Sequence, residues 1–211
     1  MTSDVVHGID ASNWQGTVAW DLVAADEKHP RFAIVKCSES TDYADPFFAA
    51  NWAGMHAQEP FVLRGCYHFA QSGSATAQAA YFVSLLPDLV AGDALCLDLE
   101  VGMPDPVSFA LDWLWSVEEA TGVRPLLYSY KSYCDEHLVD ERLAQYKLWL
   151  AAYNDDPNDL TGMPVAAGAW EDPVIWQHTD AATYAGVAGP CDGNVSYLSP
   201  QELAALGKAP G

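Results

Sequence analysis

The chain has 211 residues, half of them hydrophobic and 18% charged, enough for one domain with a substantial buried core. Its 29 acidic against 9 basic residues give a net charge of -20, which excludes a phosphate-neutralising nucleic-acid binder and electrostatic attraction to an anionic membrane. No run approaches the ~18 apolar residues of a membrane helix, and no His-x-x-x-His or Cys-x-x-Cys spacing marks a metal site, so neither a membrane partner nor a cofactor is expected.

In chain order, Met1-Thr2-Ser3-Asp4 is short and acidic rather than a signal peptide, so synthesis in the cytoplasm with action after release is the expectation. Short apolar runs that end in polar groups then recur about eight times. Val5-Val6-His7-Gly8-Ile9-Asp10 ends in an acid. Phe32-Ala33-Ile34-Val35-Lys36 leads into Cys37-Ser38-Glu39, and Val62-Leu63-Arg64-Gly65-Cys66 into Tyr67-His68-Phe69. Leu95 to Glu100, Pro125 to Tyr128, Leu148 to Ala151 and Val174 to Gln177 continue the series. Helical segments are expected over residues 45–57, 75–86 and 106–121, the last with Val107, Leu111, Leu114 and Trp115 at helical spacing. Trp113 and Trp115 are read as core. Strand and helix in alternation indicate an α/β fold with a largely parallel sheet or barrel. Helical intervals thin out in the last third, where loops are expected to join the final strands. Residues 1–205 form one domain, and 206–211 read as a tail or the start of a linker.

The run Leu95-Cys96-Leu97-Asp98-Leu99-Glu100 sets two carboxylates two residues apart, so on a strand Asp98 and Glu100 face together while Leu97 and Leu99 pack the other way. Val101-Gly102-Met103-Pro104-Asp105-Pro106 ends the strand, leaving both acids at its C-terminal rim, where α/β barrels keep their active sites. Like charges about 7 Å apart and an apolar flank favour one protonated and one ionised carboxyl. Glycosidic cleavage needs that division: one carboxyl protonates the leaving oxygen while the other opposes the developing positive charge or activates water. Taken alone, an Asp-x-Glu at a strand end also suits a cap or a solvated turn.

Gly8-Ile9-Asp10-Ala11-Ser12-Asn13-Trp14-Gln15-Gly16 resembles the opening of the glycoside hydrolase family 25 lysozymes, the N-acetylmuramidases of phage endolysins and of some bacteria and fungi. Phe32 to Ser40, Asp45-Pro46-Phe47-Phe48 with Asn51, Gly65 to Phe69, Leu97 to Glu100, Leu148 to Tyr153, and Ile175 to His178 with Cys191-Asp192-Gly193-Asn194 resemble later blocks of that family in the same order. The resemblance implies a single TIM-like barrel of irregular (β/α)5(β)3 type that hydrolyses peptidoglycan glycan strands between N-acetylmuramic acid and N-acetylglucosamine. It makes Glu100 the general acid, Asp98 its carboxylate partner, and Asp10 and Asp192 the rest of an acidic cluster. By themselves Asp10 and Asp192-Gly193 read as turn residues. Lys36 reaches toward the acids and Glu39 pairs with it or sits at the surface. Tyr67, Tyr128, Trp149 and Tyr153 are candidates to stack on sugar rings, with Gln177 as a polar contact. A monomer used in phage-type host lysis is expected. Spacing alone leaves retention, inversion and attack by the substrate's acetamido group open.

Two other classes compete. A chitinase-like hexosaminidase would carry Asp-x-x-Asp-x-Asp-x-Glu, but Cys96 stands where the middle Asp belongs. A non-catalytic glycan-binding barrel has no reason to crowd four acids. A cysteine hydrolase built on Cys66 and His68 lacks an orienting third group, and His68 reads as a structural hydrogen-bonding residue. The five cysteines, Cys37, Cys66, Cys96, Cys134 and Cys191, are odd in number and suit buried thiols made in a reducing compartment.

Overall fold

The computed structural model describes residues 5–154, 160–162, 164 and 166–209. The expected absence of a leader at Met1 to Asp4 and the last two tail residues, Pro210 and Gly211, fall outside them.

Among the described residues nine strands form, in chain order β1 (Val6–Ala11), β2 (Phe32–Glu39), β3 (Tyr43–Ala44), β4 (Leu63–Phe69), β5 (Asp93–Asp98), β6 (Leu126–Tyr130), β7 (Leu148–Ala151), β8 (Ile175–Ala182) and β9 (Cys191–Ser196). Eight of them close a ring. β1 pairs with β2, and β2, β4, β5, β6, β7 and β8 follow in parallel register. β9 runs antiparallel to both β8 and β1 and completes the circle, while the two-residue β3 only flanks β2. Helices α1 (Trp20–Ala24), α2 (Phe48–His56), α3 (Ala75–Leu85), α4 (Pro106–Thr121) and α5 (Lys131–His137) fill the first five crossovers, the last followed by a 3-10 turn over Glu141–Gln145. Among the described residues no helix separates β7, β8 and β9, so the (β/α)5(β)3 pattern is present.

Strand alternation builds two apolar layers. Phe32, Ile34, Leu63, Cys96, Leu126 and Ile175 point into the barrel, while Ile9, Val35, Leu95, Leu97, Leu127 and Leu150 face the helices. Gly8 in β1 lies opposite Phe32, and a Cβ there would stand 2.3 Å from the Phe32 ring. A glycine is needed because the ring occupies the barrel interior at that point.

Local chemistry sets the helix ends. Asp105 accepts the amide of Ser108 at 3.0 Å ahead of Pro106, and Gly122 at φ 70° closes α4, reproducing the bounds read from sequence. Trp113 is fully buried, but Trp115 is 60% exposed: α4 turns Phe109, Ala110, Trp113, Leu114 and Val117 inward, which leaves Trp115 on the solvent side. The segment expected at 45–57 becomes helical only at Phe48, because the Asp45 carboxylate accepts the Phe47 amide at 2.8 Å and holds a turn there. All five cysteines are buried and free. After a short helix, α6 (Pro200–Ala204), the chain docks at the base of the barrel, where the Lys208 amide donates to Asp93 O and the Gly92 amide to Lys208 O.

Candidate active site

The C-terminal ends of the parallel strands open into a pit of about 270 Å³. Asp10 from β1, Asp98 from β5, Glu100 just beyond β5 and Asp192 from β9 all line it. Cys96 and Asp98 share the inward face of β5, Glu100 joins them in the pit just past the strand's end, and β9 brings Asp192 opposite Asp10 in the antiparallel register. Asp192-Gly193 is therefore strand and not turn. A Cβ on Gly193 would lie 2.9 Å from the Ala182 Cβ, so the glycine serves the close approach of β8.

The carboxyls differ in their surroundings. Asp10 is buried, and one of its oxygens accepts both Gln177 Nε2 at 2.9 Å and Asn194 Nδ2 at 2.6 Å. Burial raises its pKa and these amide donors oppose the rise. Asp192 is raised by burial and by the charge of Asp10, to which it is hydrogen-bonded. Asp98 is held well above the ordinary carboxylate range, first by burial and then by Glu100, and its Oδ1 has no hydrogen-bond partner among the described residues. Glu100 is raised by burial and by the charge of Asp192, while the Lys36 ammonium works in the opposite direction. The cluster thus retains protons at a pH where free carboxyls have lost theirs.

Lys36 lines the pit, with its Nζ 2.7 Å from Glu39 Oε2. A bulge between Lys36 and Ser38 re-aims β2 so that both can face the same side. Glu39, also bound by Gln71 Nε2 at 2.9 Å, anchors the lysine from behind and does not itself line the pit. Tyr67, Tyr128, Trp149, Tyr153 and Gln177 all line it. The hydroxyls of Tyr128 and Tyr153 donate to Gln177 Oε1 at 2.9 and 3.0 Å, which turns the Gln177 amide nitrogen toward Asp10. Trp149 is only 2% exposed, and its Nε1 donates to Asn194 Oδ1 at 2.7 Å.

Ser12, Trp14 and Phe69, which line the pit, and Asn194, which supports it, are absent from the sequence-derived site. Trp14, 87% exposed, stands at the rim on the loop after β1, whose backbone is pinned by Asn13 N donating to Asp45 Oδ2 at 2.8 Å. It lies within the opening motif, but no periodicity marks a loop aromatic. Asn194 orients Asp10 from within a strand, where sequence pattern gives no such signal. Cys66 and His68 lie on the helix-facing side instead. His68 Nδ1 is 2.8 Å from Ser38 Oγ and Nε2 is 3.1 Å from Gln78 Oε1, its ring stacks on Trp113, and burial lowers its pKa to about 4. No cysteine hydrolase site exists there. Among the described residues, no group of three or more His, Cys, Asp or Glu is arranged to hold a metal ion.

A mainly parallel barrel with four carboxyls converging at one rim, beside aromatic rings, defines a glycosidase. Residues 9–187 match Glycosyl hydrolases family 25, and the chain belongs to that family. It is 43% identical over 229 residues to "Lysozyme M1" of Streptomyces globisporus, covering 95% of this chain and 71% of that protein. It is 29% identical to the "N,O-diacetylmuramidase" of Chalaropsis sp, with 92% and 97% covered. The crystal structure of the bacterial lysozyme from Streptomyces coelicolor superposes with a TM-score of 0.83 at 26% identity, covering 95% of this chain and 96% of that one.

Proposed function

We propose that this glycoside hydrolase is an N-acetylmuramidase that cuts peptidoglycan between N-acetylmuramic acid and N-acetylglucosamine, with Glu100 as the general acid. One observation carries the reading: four carboxyls, each with its pKa raised by burial, line a single pit at the barrel rim. In this mechanism Glu100 donates its proton to the glycosidic oxygen as the C1–O bond breaks, a contribution of about 10²–10⁴-fold. Asp98 faces the developing positive charge. Its ionised form is favoured as that charge grows, and removal of water from the partly buried Glu100 by bound substrate favours the acid form there. Asp10, held by Gln177 and Asn194, and Asp192 beside it orient the attacking water or the substrate's acetamide.

The -20 charge supports a reading in which the glycan is gripped by ring faces and hydrogen bonds instead of bulk attraction to an acidic wall. It also suits a monomer with neither nucleic-acid nor membrane partners. Five free, buried thiols fit synthesis in a reducing cytoplasm followed by release to the wall, as in phage-type lysis. The test is mass spectrometry of borohydride-reduced fragments released from purified peptidoglycan by the wild type and by Glu100→Gln. Reduced muramic acid ends from the wild type alone are the expected result. Reduced glucosamine ends would make the protein a glucosaminidase, and no release from several wall types would leave a binding barrel.

A further inference from the structure

The end of the barrel opposite the acid pit holds a cavity of about 740 Å³, where β1 and β2 begin and β9 ends. In a chain with 29 acidic and 9 basic residues, the walls of this cavity gather Lys28, Arg31, His7 and His29. Arg31 differs from the other arginines. Arg64, Arg124 and Arg142 pair with Asp93, Glu118 and Asp140, whereas Arg31 has no acidic partner among the described residues, and its Nε is buried without a hydrogen bond. A buried donor in that condition is destabilising until a ligand completes it.

The backbone behind these groups is fixed. Arg31 N donates to His7 O at 2.8 Å, and Val62 N donates to Arg31 O at 2.7 Å. The Asp26 carboxylate accepts the amides of Lys28 at 2.9 Å and Ala185 at 2.8 Å, holding the turn that sets His29 at φ 49°. Histidine is among the side chains that enter this left-handed region more readily than most, and here the turn places it in the cavity wall.

Charge and volume narrow the ligand. Lys28 Nζ is engaged by Thr183 O at 2.7 Å and lies over the Tyr184 ring. Burial and the Lys28 charge lower the pKa of His7, so its ring offers a hydrogen bond at neutral pH and no charge. Glu202, the acid in the wall, accepts the Ser199 amide at 2.8 Å and the Ser199 hydroxyl at 2.7 Å. Arg31 is then the unpaired cation among the described lining residues, and it matches a single negative charge. A guanidinium fork suits phosphate or carboxylate oxygens. Imidazoles arriving from β1 and from the 26–29 turn suit the tetrahedral group, because a planar carboxylate presents its oxygens in one plane. The cavity is also far larger than a bare anion, and Val6, Leu198 and Tyr197 give it apolar and aromatic wall for flanking groups.

We propose that this floor cavity binds a phosphodiester flanked by polyol groups, with the Arg31 guanidinium on the charged oxygens and His7 and His29 beside them. The source is a soluble or wall-borne polyol phosphate chain, since the net charge of -20 opposes approach to an anionic bilayer. A ligand held here leaves the acid pit at the other end of the barrel open, so this site stands apart from the muramidase reading.

The test is isothermal titration calorimetry of the whole chain with glycerophosphoglycerol, inorganic phosphate and acetate, using wild type, Arg31→Met and His29→Gly. Methionine keeps an apolar stem at position 31, and glycine accepts the positive φ at position 29. The wild type is expected to bind the diester more tightly than either small anion. Arg31→Met should weaken that binding about tenfold or more and His29→Gly about threefold, the span of charged and neutral hydrogen bonds. Should Arg31→Met not fold, the loss in His29→Gly decides. No binding by the wild type, or undiminished affinity in the folded variants, overturns the site. Acetate or inorganic phosphate bound as tightly as the diester overturns the phosphodiester assignment. Poly(glycerol phosphate) should compete with the diester, and phosphatidylglycerol vesicles should not sediment the protein; the reverse pattern overturns the source.

Discussion

Asp10 and Asp192 stand directly opposite each other across the β1–β9 pair with their carboxyls hydrogen-bonded, so one proton serves both. Two ionised carboxylates could not share that contact. Asp10 already accepts the side-chain amides of Gln177 and Asn194, which makes Asp192 the natural holder of the proton.

Asp192→Asn keeps a donor facing the Asp10 carboxylate, whereas Asp10→Asn still accepts Gln177 and Asn194 through its amide oxygen but removes the negative charge of the pair. Asp192→Asn should therefore keep a kcat/KM about tenfold or more above that of Asp10→Asn, within the ~10²–10⁴ span of acid–base effects. Equal losses in steady-state assays on peptidoglycan would contradict the shared proton.

Asp98 trades stability for chemistry. Its folded pKa is raised, so between the unfolded and folded values the native state binds more protons, and stability is full at low pH and falls as pH rises. Asp98→Asn removes that cost. At pH 7 its melting temperature should rise by about 2–4 °C for each ~1 kcal/mol recovered, the gain should shrink toward pH 4, and hydrolysis should drop about 100-fold or more. Calorimetry at the two pH values checks the sign.

Lys36 is the cation that restrains the pKa values of both Asp98 and Glu100. In Lys36→Met the carboxyls lose it, and the alkaline limb of the kcat/KM–pH profile should move to higher pH. An unmoved or lowered limb would show that neither acid controls it.

His68 gives the opposite pH signature. Its folded pKa of about 4 lies below the ordinary histidine value of 6.5, so the unfolded chain binds more protons between them. Stability from this group is present above pH 6.5 and is lost as pH falls toward 4, about 3 kcal/mol in all. The site carboxyls gain over part of that range, so the effect is isolated by difference. His68→Gln should be less stable at pH 7, and its deficit should narrow by pH 4 in denaturant titrations.

Gly8→Ala drives a methyl into the Phe32 ring at a point where the interior is filled. A loss of about 1–3 kcal/mol is expected in chemical denaturation. Phe32→Leu in the same chain should restore part of it.

The sequence alone carried much of this architecture, for reasons visible in particular residues. Leu95, Leu97 and Leu99 against Cys96, Asp98 and Glu100 is a two-residue period, and period sets faces. The loop aromatic Trp14 obeys no period, so nothing separates a rim ring from a buried one before the fold exists. Asp192 was legible only through family resemblance, because Asp-Gly is turn chemistry and only the close approach of β8 explains its place in a strand. Trp115 shows the limit of helical spacing: a stripe wide enough to include it exceeds the face that the barrel can cover.

The reversed direction of β9 has a consequence for engineering. Val6 pairs with Ser196 at the floor of the barrel, so β1 begins and β9 ends there, and Lys208 is fastened to the same floor through Gly92 and Asp93. A reporter or targeting module fused after Lys208 would hang from the back of the molecule and leave the catalytic mouth clear to press against an insoluble surface.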